Sequence, residues 1–242
     1  MSTLAFHELT KRYGTVTAIE GLTAQVRAGR VTAFLGANGS GKTTSMRLLL
    51  GLSAPTSGTA TVDGVPYRDL AQPMRHIGTV LEQGFHPNRS ARNHVRLVAM
   101  QAQASPVRVD ELLALVGLSD AADRKVGGFS LGMRQRLGLA SSLVGAPESL
   151  VLDEPFNGLD PDGIAGLKAF LRRFADDGGT VLLSSHLLAE VASLADDVLI
   201  LDRGHLVASG PVDDLPATTE GSRSERLELA YQSLVHHREF QS

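Results

Sequence analysis

Between Gly36 and Thr44 the chain reads Gly-Ala-Asn-Gly-Ser-Gly-Lys-Thr-Thr. It follows the apolar run Val31-Thr-Ala-Phe-Leu35 and precedes Ser45-Met-Arg-Leu-Leu-Leu50, which predicts strand, glycine loop, helix. In that context the pattern G-x-x-x-x-G-K-[ST] is a phosphate site. Glycines allow successive backbone N–H groups to turn inward around a polyphosphate, and the new helix adds its positive end. Lys42 reaches the β- and γ-phosphates, and the Thr43 hydroxyl is a ligand for Mg²⁺. The expected nucleotide contacts are therefore Gly36, Asn38, Gly39, Ser40, Gly41, Lys42, Thr43 and Thr44.

Two further clusters carry chemistry. Leu150-Val-Leu-Asp153-Glu154-Pro155 is an apolar strand that ends in two carboxylates. Beside a phosphate loop, an acid at such a strand end holds Mg²⁺, which is the role expected of Asp153. Glu154 is placed to polarise an attacking water. Asn157-Gly-Leu-Asp160-Pro161 follows at once, and Asp160 before Pro161 also suits a helix cap. The second cluster is Phe129-Ser-Leu-Gly-Met-Arg-Gln-Arg136. Ser130 is a good N-cap, and Gly132 permits another group to approach the helix end. A helix N-terminus with a serine hydroxyl is a second anion site. Two phosphate-binding helix ends in one chain make sense when each nucleotide is clamped between two copies.

The elements that position these groups are α/β. Leu4–Tyr13 and Val16–Val26 read as strands, followed by the loop and its helix, a turn at Pro55–Gly58, and the strand Thr59–Val62. Ile77–Leu81 reads as a buried strand, Ala91 to about Leu118 as helical, and Leu131–Val144 as a further helix. The short apolar runs Leu150–Leu152, Val181–Leu183 and Val198–Leu201 are separated by helical stretches, the mark of a parallel sheet. Residues 216–224 read as a linker into a final helix, with Leu227, Tyr231, Leu234 and Val235 on one stripe.

Composition bounds the function. A net charge of −3 over 242 residues gives no basic field for nucleic acid. The absence of cysteine excludes disulfides and thiolate metal sites. His236-His237 lacks partners at ligand spacing and reads as a solvated pair. No run of about 18 apolar residues occurs, so the chain is not expected to span a membrane by itself. The N-terminus shows no basic segment followed by an apolar one.

Taken in order, these motifs resemble the ATP-binding subunit of an ABC transporter, from Tyr13 to about Leu215. Gly36–Thr44 is similar to Walker A, Phe129–Arg136 to the family signature, Leu150–Glu154 to Walker B with its catalytic glutamate, and Asn157–Asp160 to the D-loop. Tyr13 matches the aromatic that stacks on adenine, and Ser185-His186 the switch histidine that contacts the γ-phosphate. The resemblance implies an ATPase using ATP and Mg²⁺, with a P-loop α/β core, an antiparallel β edge and an inserted helical signature subdomain at about 85–144. The ATPase domain would cover 1–215 and the linker and last helix 216–242. Two copies would meet head to tail, at the cytoplasmic face of the cell membrane, and drive a separate polytopic permease. Pro87 and Asn88–Asn93 match the segment that faces that permease.

Departures from the family pattern are informative. Leu131 and Met133 replace the usual signature Gly and Gln and are similar to the version found in bacterial drug and peptide exporters. Phe156 stands where a small residue is common. Glu82 stands at the place of the usual Q-loop glutamine of the nucleotide site, with Gln83 next; a one-residue shift would put Gln83 in that role instead. The less favoured readings are a soluble non-transport ABC-type ATPase acting on ribosomes or DNA, and a regulatory module that binds ATP without turnover. A single Walker A and no extended heptads argue against the first. Glu154 and His186 argue against the second. A GTPase is disfavoured because no Asn-Lys-x-Asp base-recognition motif is present.

Overall fold

The computed structural model describes residues 2–81, 84–215 and 221–236. In chain order it begins with strands β1 (Leu4–Tyr13), β2 (Val16–Val26) and β3 (Val31–Leu35), helix α1 (Lys42–Leu49) and strand β4 (Ser57–Val62). Next come α2 (Pro73–His76), β5 (Ile77–Val80), α3 (Ala91–Gln101), α4 (Val107–Leu115), α5 (Leu131–Ser142) and β6 (Ser149–Leu152). The chain then forms α6 (Pro161–Asp176), β7 (Thr180–Ser185), α7 (Leu188–Leu194), β8 (Asp197–Asp202), β9 (His205–Pro211) and α8 (Arg223–His236). Two compact units result, one of residues 1–70 and 171–242, the other of residues 71–170.

The first unit holds two sheets. β1 runs antiparallel between β2 and β4. Its alternation buries Leu4 and Phe6, a register shift at Glu8 then turns Leu9 inward, and the Phe6 ring lies 5.8 Å from Phe34 of β3. In the other sheet β3 lies parallel between β7 and β8. All residues of β3, β7 and β8 are buried, as an interior parallel strand requires. β9 returns antiparallel to β8. The intervening Arg203 and Gly204 both have positive φ, the backbone of a two-residue hairpin turn. This strand was not expected from the sequence. His205–Pro211 is half-buried rather than an apolar run, so the pairing rests on the turn and the buried face of β8.

Opposite the phosphate loop, the starts of β3 and β8 are tied by charge. Asp197, only 8% exposed at its side chain, accepts from Arg30 Nε at 2.6 Å and from Arg27 Nη2 at 2.9 Å. The hydrogen bond to Asp197 raises the Arg30 guanidinium pKa above its ordinary value. Asp196 accepts from the Val31 amide at 2.8 Å and from Arg172 at 2.9 Å.

In the second unit β5 and β6 pair in parallel, with Val80 opposite Leu152. Helix α5 packs on β5 and against α3 and α4. The helical region expected as one stretch from Ala91 to Leu118 is two helices. Gln103 takes a left-handed backbone and Pro106 starts α4, which together break the run. The last helix, α8, packs on α7 and β9 and buries Leu227 and Ala230. Arg223 fastens its start by donating to the carbonyls of Ala192 and Ala195 at 2.5 and 3.0 Å.

Replacing Asp197 with Ala leaves two guanidinium groups without their shared acceptor. Urea unfolding of Asp197→Ala is expected to show a loss of about 2 kcal/mol, the scale of hydrogen bonds to charged groups. An unchanged midpoint would show that the cluster contributes nothing net.

Candidate functional site

The loop after β3 has the geometry of a phosphate cradle. Gly36, Gly39 and Gly41 all have positive φ. A side chain on Gly41 would lie 2.8 Å from the Ala18 carbonyl oxygen and overlap Ile19. The loop is therefore pressed against β2 at Gly41. Lys42 starts α1, is 6% exposed, and donates to the Gly36 and Ala37 carbonyls at 2.6 and 3.1 Å. Its ammonium is held at the loop rather than in solvent. Ser40 Oγ is buried and has no hydrogen-bond partner. A buried, unmatched hydroxyl beside a buried ammonium suits a ligand with many acceptor oxygens. Ala37, Asn38 and Gly39 form the exposed rim, and Thr43 and Thr44 are half-buried on the first turn of α1.

His186 belongs to the same sheet edge. In the β3–β7 pairing Leu35 stands opposite Ser185, so the residues that follow, Gly36 and His186, leave neighbouring strands at the same end. His186 is exposed there. Tyr13, at the end of β1, is 51% exposed, with the Lys11 ammonium 4.7 Å from its ring centroid. Tyr231 of α8 also reaches this region. Burial raises the pKa of its phenol, the Asp202 carboxylate adds to the shift, and the Ala37 amide of the phosphate loop opposes it.

In the second unit Asp153 and Glu154 follow the end of β6, both half-buried. The Asp153 amide continues the β5 ladder, donating to the Val80 carbonyl at 2.7 Å. Glu154 has φ 48°, a left-handed conformation uncommon for a residue with a side chain. The chain turns there: the Asn157 amide donates to the Glu154 carbonyl at 3.2 Å. Asp160 caps α6, its Oδ1 accepting from the Gly163 amide at 3.0 Å. Among the described residues no group of three His, Asp or Glu is placed to hold a metal ion.

Ser130 caps α5 as its sequence predicts. Its Oγ accepts from the Met133 amide at 3.2 Å, which leaves the exposed O–H to donate elsewhere. Gly132 is buried, and the group that approaches it within this chain is a carbonyl: a Cβ there would lie 2.7 Å from Gly158 O. Glu82 and Gln83 lie outside the described residues, as does His237. A separate surface cavity of about 430 Å³ is lined by His86, Asn88, Arg89, Asn93, Arg96 and Leu97, among others, in the segment expected to face a membrane partner.

Comparison with known proteins follows the same motifs. Residues 19–157 match the family model described as ABC transporter. The chain belongs to the ABC transporter family, as an ATP-binding, ATP-hydrolysing subunit. It is 40% identical over 215 residues to the bacitracin transport ATP-binding protein BcrA of Bacillus licheniformis, covering 86% of this chain and 69% of that one. It is 38% identical over 213 residues to the lantibiotic transport ATP-binding protein SrtF of Streptococcus pyogenes, covering 87% and 91%. The solved structure of an ATP-binding subunit of an ABC transporter superposes with a TM-score of 0.85 at 28% identity, covering 96% of this chain and 98% of that one. The fold of this ABC ATPase is thus the α/β cassette with an antiparallel sheet that the motifs imply.

Two residues near the motifs escaped the sequence reading. Gly158 was read only as part of the D-loop; its φ of 77° and its contact with Leu131 give it a packing role. Gln135 was read only as part of the signature, yet its side-chain amide meets the Glu154 carbonyl. Neither role has a local pattern, because both depend on α5 and the loop after β6 lying side by side. The cradle itself is testable: Gly41→Ala is expected to weaken ATP binding at least about tenfold in a fluorescent-nucleotide titration, the cost of a strained backbone at this point. Unchanged affinity in a folded variant would contradict the tight seat on β2.

Proposed function

We propose that two copies of this chain meet head to tail and clamp two nucleotides between them, hydrolysing ATP to drive a separate polytopic membrane permease in export. The observation that carries this reading is Ser130: a capped helix end whose exposed hydroxyl keeps its proton to donate to a phosphate oxygen. A chain with its own phosphate loop has no need of a second anion-binding helix end unless that end serves a neighbour. Each site would take Lys42, Thr43, Asp153, Glu154 and His186 from one copy, and Ser130 and Gly132 from the other. Tyr13 would offer its ring to adenine. Asp160 and its loop would line the contact between copies.

The donor set fits Mg²⁺ when nucleotide is bound. Thr43 supplies a hydroxyl and Asp153 a carboxylate, both hard oxygen donors. Such an ion would take its other ligands from phosphate and water, which is how Mg²⁺ is commonly held. The ion would neutralise charge on the phosphates. Glu154 would accept the proton of the attacking water, and His186 would steady the γ-phosphate. Closure of the pair on ATP and reopening on products gives a cycle that a permease can follow.

No described helix is long and apolar enough to cross a membrane, and the proposed transport path lies in a separate permease. The cavity at His86 to Leu97 is the surface proposed to receive it, at the cytoplasmic face of the membrane. Leu131 and Met133 in the signature support export, and BcrA and SrtF are named for transport of bacitracin and lantibiotics. A peptide-type cargo is the class these relatives support.

The composite site predicts complementation. Ser130→Arg and Lys42→Ala chains are each expected to lose at least about 100-fold in turnover, as for removal of a transition-state donor. Mixed in equal amounts, random pairing makes half the dimers mixed, each with one intact site. Recovery should then be measurable, up to about a quarter of normal activity if the two sites work independently. No recovery in a mixture shown to contain mixed dimers would contradict the shared site.

A further inference from the structure

The face of α5 that starts at Ser130 lies along the loop that carries Glu154. Gln135 Nε2 donates to the Glu154 carbonyl at 3.4 Å, the same oxygen that accepts from the Asn157 amide at 3.2 Å. One helical turn earlier, Leu131 and Gly132 meet Gly158. A Cβ on Gly132 would lie 2.7 Å from Gly158 O, and a Cβ on Gly158 would overlap the Leu131 side chain. Residues 131 and 135 are four apart and 132 and 135 three apart, so they share one stripe of the helix. That stripe touches both ends of the turn from Glu154 to Gly158. Phe156, between them, is buried.

Glu154 needs such a support. Its left-handed φ of 48° is a conformation that surrounding contacts must hold. Asn157, bonded to its carbonyl, belongs to the same turn and moves with it. Gln135 belongs to a different element, the helix whose first residues carry the second anion site.

We propose that Gln135 is a positioning residue for Glu154, and that α5 thereby links the phosphate held at its Ser130 end to the general base of its own chain. The link to phosphate rests on the reading above, in which Ser130 serves the partner's nucleotide. A nucleotide bound in one site then helps to set the base of the other site, through one helix and one side-chain amide. Gln135 touches neither nucleotide nor water in this role; it acts through the backbone of Glu154.

The test uses size-matched variants. Gln135→Leu keeps the volume and removes the donor, and Gln135→Glu keeps the shape but has only acceptors at neutral pH. Both are expected to lower kcat about five- to tenfold, the scale of one hydrogen bond, with KM for ATP changed less than about twofold. Gln135→Lys restores a donor of similar reach and should recover at least about half of the lost rate. A rise in KM with unchanged kcat, or equal losses in all three folded variants, would overturn the positioning role. These measurements on the uniform protein do not depend on a shared site.

The link between sites is read in the mixed dimers: their second site is empty, so the live site should run below the roughly one quarter of normal activity that independent sites would give. Their one live site uses the Glu154 of the Ser130→Arg chain and the Ser130 of the Lys42→Ala chain. Adding Gln135→Leu to the Ser130→Arg chain should lower activity about five- to tenfold, because that chain supplies the working base. Adding it to the Lys42→Ala chain tests damage to the helix end that supplies Ser130, and there the mixture should keep its rate. An equal loss from both placements, or a loss only from the second, would overturn the proposal. If mixing Ser130→Arg with Lys42→Ala restores no activity at all, the shared-site reading fails and the link between sites fails with it. The kcat and KM of the uniform variants then decide the positioning role alone.

Discussion

A buried strand that cannot shift is the condition on which the site depends. All five residues of β3 are buried between β7 and β8, and the loop that follows has no slack. Gly41 is seated against β2 so closely that a methyl group would strike the Ala18 carbonyl. The backbone of the loop is therefore set before any phosphate arrives, and a preorganised site costs little rearrangement when charge appears. The same strand end places His186 beside the loop through the pairing of Leu35 with Ser185. At the opposite end, Asp196 and Asp197 gather three arginines and hold β3 and β8 together.

The second unit solves a different problem. In the proposed function it presents a helix end to a phosphate and also holds a carboxylate at the end of a short strand. Both tasks meet on α5, which caps itself with Ser130 and packs its next turn against the loop from Glu154 to Gly158. Gly132 and Gly158 are the residues that make this approach possible. Helix and loop are consequently one mechanical piece, and a change at either is felt at the other.

Much of this was legible in the sequence, for definite reasons. The phosphate loop is local: its residues are consecutive, and a strand and a helix flank them. β6, β7 and β8 are legible because full burial leaves unbroken apolar runs. Ser130 announces its cap because a serine before an apolar helix has few other uses. What stayed hidden depends on contacts between distant residues. β9 has no apolar run and is a strand because β8 offers it an edge across the Arg203-Gly204 turn. The break between α3 and α4 was blurred because apolar periodicity continues on both sides of Pro106. Gln135 was hidden for the same reason as β9: its partner is a backbone carbonyl 19 residues away.

The central claim is that one copy's Ser130 completes the other copy's site. The direct measurement is the mass in solution of a Glu154→Gln chain, in which ATP is bound and turnover is at least about 100-fold slower. Light scattering is expected to show a monomer without nucleotide and a dimer with Mg·ATP. Adding Ser130→Arg to the same chain should return it to a monomer while each copy still binds ATP. A Glu154→Gln chain that remains a monomer with ATP bound, or a dimer indifferent to Ser130→Arg, would contradict the account.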